Sequence, residues 1–150
     1  MRRRAFCYIT RIGRHGPELL VFRHDDPDAG IQTPGGTIEP HETTLEGARR
    51  EAIEETGLTN FVEAHLIAID TSTIPSAPVE RHHVHLTLDG AALDTWTHRV
   101  SAGDADTGLL FHFFWLTFSA AKSQVLPSMI TRLDEITDRT AGAPHVQSIS

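Results

Sequence analysis

Cysteine is nearly absent from this sequence. Cys7 is the only one in 150 residues, which excludes an internal disulfide and a cysteine-built structural zinc site and fits a reducing, cytoplasmic compartment. Long apolar runs are lacking as well, and none approaches the roughly 18 residues of a membrane span. Arg2, Arg3 and Arg4, followed by Ala5 and Phe6, begin like an export signal, but the apolar stretch ends at Thr10 and runs into Arg11 and Arg14. That is too short for a signal core, so the arginines read as a solvated N-terminus leading into a strand. An excess of positive charge is also missing. Thirteen basic against twenty acidic side chains give a net charge of −7, so no global field gathers DNA or an anionic membrane, and an anionic substrate needs local help such as a metal ion. There are no repeats and no low-complexity tracts. What is present is ordinary globular material, 39% apolar and 22% charged, enough for one core. The expected organisation is one domain over residues 1–140 with a flexible tail over 141–150.

Ala5 to Ile12 and Glu18 to Phe22 alternate as strands, with Gly13 to Pro17 turning between them as a hairpin. Asp25 to Gly30 is a polar loop, and the chain stays loop-like through Ile31-Gln32-Thr33 and Pro34-Gly35-Gly36 up to Thr43. Thr43 and Glu46 then stand in the relation of a capping box, Leu45, Ala48 and Ala52 share one face, and Gly57 can close the end, which predicts a helix over Thr44 to Thr56. Phe61 to Asp70 and Val79 to Leu88 read as strands, the second with Val84, Leu86 and Leu88 on one face and His83, His85 and Thr87 on the other. Asp89 to Gly108 reads as a long polar loop. Leu109 to Phe118, rich in aromatics at both parities, reads as a central strand buried on both faces. Ser128 to Asp138, after Pro127, has apolar residues at helical spacing and predicts a second helix.

Within the first helix Glu51, Glu54 and Glu55 stand at i, i+3 and i+4, so three carboxylates share one part of its surface. Such like charges repel, and the arrangement gains nothing unless a cation binds. Oxygen ligands on a rigid helix suit Mg²⁺, or Mn²⁺ as a substitute, which keep several waters and bridge to substrate phosphates. A solvated acidic face, helped by pairing of Arg50 with Glu46 and Glu54 at i, i+4, is the plainer alternative for the triplet taken alone.

The flanking sequence decides between them. From Gly36 to Leu58 the chain reads GTIEPHETTLEGARREAIEETGL: Gly36, then Glu42, then Arg50-Glu51, the apolar Ala52, Glu54-Glu55, Gly57 and the apolar Leu58. Chance agreement at seven fixed positions is on the order of 10⁻⁹ per window at ordinary residue frequencies. The segment resembles the Nudix box, and Pro34-Gly35-Gly36 before it also fits, so the chain resembles a Nudix hydrolase.

The resemblance implies an α/β (α+β) fold, an α/β/α sandwich with a mixed β-sheet and the box as loop, helix, loop. It further implies Mg²⁺-dependent hydrolysis of a pyrophosphate bond in a nucleoside diphosphate linked to another moiety. Carried over to these positions, Glu51, Glu54 and Glu55 are metal ligands together with the Gly35 carbonyl. Glu42 joins through water, and Arg50 orients the glutamates. Glu54 is the first choice for the base that takes the water's proton, with Asp104 and Asp106 as candidates from the long loop. Arg23, at the end of the second strand, is a candidate phosphate contact. Trp96 either stacks on a base or anchors its loop. His83 and His85 line the sheet, and His112 reads as a core histidine. The expected partner is a nucleotide-type small molecule, with no DNA and no membrane, and a homodimer is compatible with the chain. The alternative from another class is a nucleotide-binding sensor on the same fold that does not cleave.

Overall fold

The computed structural model describes residues 1–72, 77–101 and 108–141. Its organising element is the hairpin of β1 (Arg2–Gly13) and β2 (Gly16–His24), joined by a turn in which Gly16 takes a φ of 111°, a region that favours glycine. The two strands pair only from Thr10↔Leu19 to Gly13↔Gly16. Beyond that point they part. β4 (Gly35–Ile38) pairs with β1 opposite Arg3 to Phe6, and β3 (Ile31–Gln32) pairs with β2 opposite Phe22 and Arg23. The divergence opens a split in the sheet, and the segment that resembles the Nudix box begins inside it.

From β4 the chain enters α1 (Thr44–Thr56), which starts and stops where its sequence predicts. Thr43 Oγ1 accepts the Glu46 N–H at 3.2 Å while Glu46 accepts the Thr43 N–H at 2.9 Å, and Gly57, left-handed at φ 78°, donates to Ile53 O at 2.9 Å. The sheet is completed by β5 (Phe61–Thr71), β6 (Val79–Leu88), β7 (Thr95–Arg99) and β8 (Leu110–Thr117), in the spatial order β5-β6-β1-β2-β8-β7. β1 and β6 run parallel and the other pairs along this path are antiparallel, so the sheet is mixed. α2 (Phe118–Gln124) and α3 (Leu133–Ala141) follow.

Alternation along the strands builds two cores. Ala5, Cys7 and Ile9 of β1 face α1 through Ala48 and Ala52, while Tyr8 of β1 with Leu19 and Val21 of β2 face α2 and α3 through Ala121, Leu133 and Ile136. The result is the α/β/α sandwich expected.

Several sequence expectations need correction, beginning with the loop read through to Thr43, in which Ile31–Gln32 and Gly35–Ile38 pair as strands. The stretch Asp89 to Gly108 is not a continuous loop, because Thr95–Arg99 pairs with β8 as an edge strand. Its Thr-Trp-Thr-His-Arg alternation puts Trp96 and His98 inward, a signal masked by the polar residues around it. β8 is an interior strand, but it is fully buried only at Phe111, Phe113 and Trp115 and half-buried at the alternate positions. His112 is therefore no core histidine: its side chain is 43% exposed and its Nε2 lies 2.8 Å from Asp25 Oδ1. The last helix begins at Leu133, after a 3-10 turn over Pro127–Met129, and α2 was not expected at all. Thr117 caps α2 through the Ala120 N–H at 3.2 Å, so Phe118, read as the last residue of a strand, is the first of a helix. The expected tail, beyond the end of α3 at Ala141, lies outside the described residues.

Candidate active site

The site is assembled at the sheet split. Gly35 and Gly36 lie flat against β1, and a Cβ on Gly35 would come within 2.2 Å of Ala5 O. A Cβ on Gly36 would come within 2.1 Å of Glu51 Oε2, so the absence of a side chain there makes the cradle for that carboxylate. Glu51 and Glu55, on the inner side of α1, are buried at 4% and 5% exposure. Glu55 Oε1 accepts the Gly35 N–H at 3.0 Å, tying the last full turn of the helix to β4.

Arg50 holds the carboxylates together. Its guanidinium donates to both oxygens of Glu42, at 2.6 and 2.8 Å, to Glu51 and Glu54 at 3.1 Å each, and to Thr37 O at 3.0 Å. These contacts extend well beyond the i, i+4 pairing that the sequence suggests. The two-pronged bond from Arg50, with help from the Glu39 N–H, outweighs the cost of burial and lowers the Glu42 carboxyl to about 2. The Arg50 guanidinium is correspondingly raised, first by Glu42. Glu42 is committed to this pair and to the Glu39 N–H at 2.8 Å, closing the loop ahead of α1. Behind the cluster, burial and then the charges of Glu55 and Glu51 push the Cys7 thiol well up, so it stays protonated and donates to Ala48 O at 3.6 Å.

A helix end leaves carbonyls without intrahelical partners, and those of α1 meet partners from β7 and the residues just after it. Trp96 Nε1 donates to Thr56 O at 2.9 Å, and the Ser101 N–H reaches Glu54 O at 3.5 Å, where His98 Nε2 also lies at 3.1 Å. The Trp96 ring stacks on Phe113 at 5.2 Å. Trp96 is accordingly an anchor that fixes the turn carrying Glu54 and Glu55, and one indole face is already covered.

Arg23 is exposed at the end of β2 with its guanidinium 4.6 Å above the Phe114 ring, on the sheet face opposite α1. Asp104 and Asp106 lie outside the described residues. His83 and His85 line the sheet as expected. His83 bridges Tyr8 Oη at 3.0 Å and Asp70 at 3.1 Å, and His85 lies 2.8 Å from Thr10 Oγ1. Sequence reasoning missed Arg3, which donates to Glu39 O at 2.7 Å and Glu42 O at 3.0 Å and so staples the loop before α1 to β1. The signal was strand parity: Arg3 continues the inward series of Ala5 and Cys7.

Among the described residues no three His, Cys, Asp or Glu side chains converge as a ready-made cation cage. The donor set nonetheless fits a hard divalent ion: it is all carboxylate and carbonyl oxygen, on a rigid helix beside a glycine cradle, and such ions bind with few carboxylates and several waters.

Fold and site together define a protein that presents a helix-borne carboxylate cluster, held by one arginine, at a split in a mixed sheet. The chain matches the NUDIX domain over residues 1–139, and it belongs to that family. Among solved structures it resembles a Caenorhabditis elegans Ap4A hydrolase, at 16% identity and a TM-score of 0.69 over 95% of this chain and 100% of that one. It also resembles the Escherichia coli ORF135 protein (21%, 0.62, covering 96% and 94%) and a NUDIX hydrolase from Nitrosomonas europaea (16%, 0.64, covering 93% and 90%). At these identities the likeness is one of fold. No curated protein sequence matches.

Proposed function

We propose that this protein is a Mg²⁺-dependent pyrophosphohydrolase acting on a nucleoside diphosphate linked to another moiety. The observation that carries the reading is the Arg50 hub, which aligns Glu42, Glu51 and Glu54 beside Glu55 and Gly35 at the mouth of the split. Glu51, Glu54, Glu55 and the Gly35 carbonyl would hold the metal, with Glu42 supporting them through Arg50; Mn²⁺ has the same ligand preferences. A bound divalent ion supplies charge neutralisation for the diphosphate and acidifies water. Glu54, whose side chain is 19% exposed and whose partner is the shared Arg50, is the accessible carboxylate and takes the water's proton. Glu51 and Glu55 are held in position by Arg50 and by the Gly35 N–H. Arg23 offers a cation to the phosphate chain from the opposite bank. The substrate is a nucleotide-type small molecule, consistent with an Ap4A hydrolase among the structural neighbours.

The test is phosphate release from a panel of sugar nucleotides, dinucleoside polyphosphates and nucleoside triphosphates with Mg²⁺ and with EDTA. Turnover should require the metal, and Glu54→Gln should lower kcat about 10²-fold or more, as for loss of a general base. Turnover in EDTA would overturn the carboxylate mechanism. Metal-dependent nucleotide binding with no turnover of any substrate would instead support a sensor.

A further inference from the structure

The split in the sheet forms a cleft of about 90 Å³, and its lining includes Arg4, Gln32, Thr33, Gly35, Glu55 and Met129. Arg4 belongs to the outward series of β1 with Phe6 and Tyr8, on the sheet face opposite α1. Through the β1–β4 register it sits opposite Thr37, while Phe6 sits opposite Gly35, whose N–H binds Glu55. Two strand residues separate Arg4 from that point, about 7 Å of strand.

Arg23 sits farther along β2, over the Phe114 ring, and the arginines nearest the cleft other than Arg4 are engaged. Arg50 is spent on the glutamates and Arg3 on the loop before α1. Arg81, which is opposite Arg4 across the parallel β1–β6 pair, is held by Asp70 at 2.5 Å, and Arg132 bonds Asp70 and Glu135 at 3.0 Å each. Arg4 differs. Among the described residues its side chain makes one long contact, to Thr37 Oγ1 at 3.5 Å, an oxygen that also receives Arg2 at 2.8 Å. A half-buried guanidinium with five donors and one marginal acceptor, beside an anionic metal-type site, has the chemistry of a phosphate fork.

We propose that Arg4 grips the phosphate chain of the substrate, on the side of the diphosphate away from the carboxylate cluster. This rests on the pyrophosphohydrolase reading and adds a substrate-binding residue to it. It also places the bound phosphates in the cleft between β1 and β3, so that Arg4 recognises phosphate charge and not the attached base or sugar.

The experiment measures binding of methylenediphosphonate, a non-hydrolysable diphosphate without base or sugar, by calorimetry in Mg²⁺ for wild type, Arg4→Gln and Arg4→Lys. The wild type should bind it. Arg4→Gln should bind about tenfold more weakly or worse, the scale of one charge-assisted hydrogen bond, and Arg4→Lys, which keeps the charge, should lose less. Equal binding by wild type and Arg4→Gln overturns the assignment, as does an Arg4→Lys variant as weak as Arg4→Gln. Absence of binding by the wild type also overturns it. Wild-type turnover of the nucleotide panel separates the two claims: Mg²⁺-dependent hydrolysis together with an Arg4→Gln variant of normal affinity leaves the enzyme reading standing and removes only Arg4.

Discussion

Removing Arg50 is the sharpest perturbation of this site. The Arg50→Met substitution keeps much of the stem but withdraws the donors to Glu42, Glu51, Glu54 and Thr37 O. The Glu51 and Glu42 side chains are 6% and 10% exposed, so their carboxylates would stay covered after losing this cation. Breaking a buried pair in this way costs about 3–5 kcal/mol. Arg50 itself is 31% exposed, and water entering the gap relieves part of that, which brings the expected loss below that range, to about 2–3 kcal/mol.

The loss should depend on pH with a definite sign. In the wild type Glu42 is lowered from 4.5 to about 2, so its contribution is complete above 4.5 and fades as pH falls toward 2. Without Arg50 that contribution is gone at every pH, and the gap between variant and wild type should narrow from pH 7 to pH 4. Urea unfolding at both pH values in EDTA checks this, and added Mg²⁺ should return part of the stability. A gap below about 0.5 kcal/mol that ignores pH and Mg²⁺ is what an exposed ion pair gives, and would refute the hub.

Gly36→Ala should displace Glu51 from its cradle, lowering kcat with a modest effect on melting, whereas Gly35→Ala, which meets backbone at Ala5 O, should cost stability first; kinetics and melts on the same samples separate the two. Trp96→Ala should destabilise by about 3 kcal/mol, the low end for truncating a large aromatic, because it removes the Phe113 stack and the bond to Thr56 O. A variant of unchanged stability and raised KM would show that Trp96 meets substrate instead. Burial, helped by the Arg139 charge, lowers His85 from 6.5 to about 4, so the unfolded chain takes up a proton first and stability should fall as pH drops from about 6.5 to 4. His85→Gln should flatten that slope in a series of melts.

The box helix α1 is legible in the sequence because its information is local. Thr43, Glu46 and Gly57 specify both ends through bonds that close within three or four residues, and Glu51, Glu54 and Glu55 share a face by helical period alone. The hairpin and the inward and outward series of β6 follow from equally short-range rules. The remainder depended on partners distant in the chain. Arg4 and Arg3 read as a solvated end until β4 packs beside β1 and divides them between the cleft at the sheet split and the box loop. Trp96 became an anchor once the end of α1 lay across β7, a contact spanning 40 residues. His112 reads as core by alternation, yet it sits on the half-exposed face of β8, next to Arg23. Periodicity reports that a strand has two faces; which face is covered, and by what, is decided only when the helices dock.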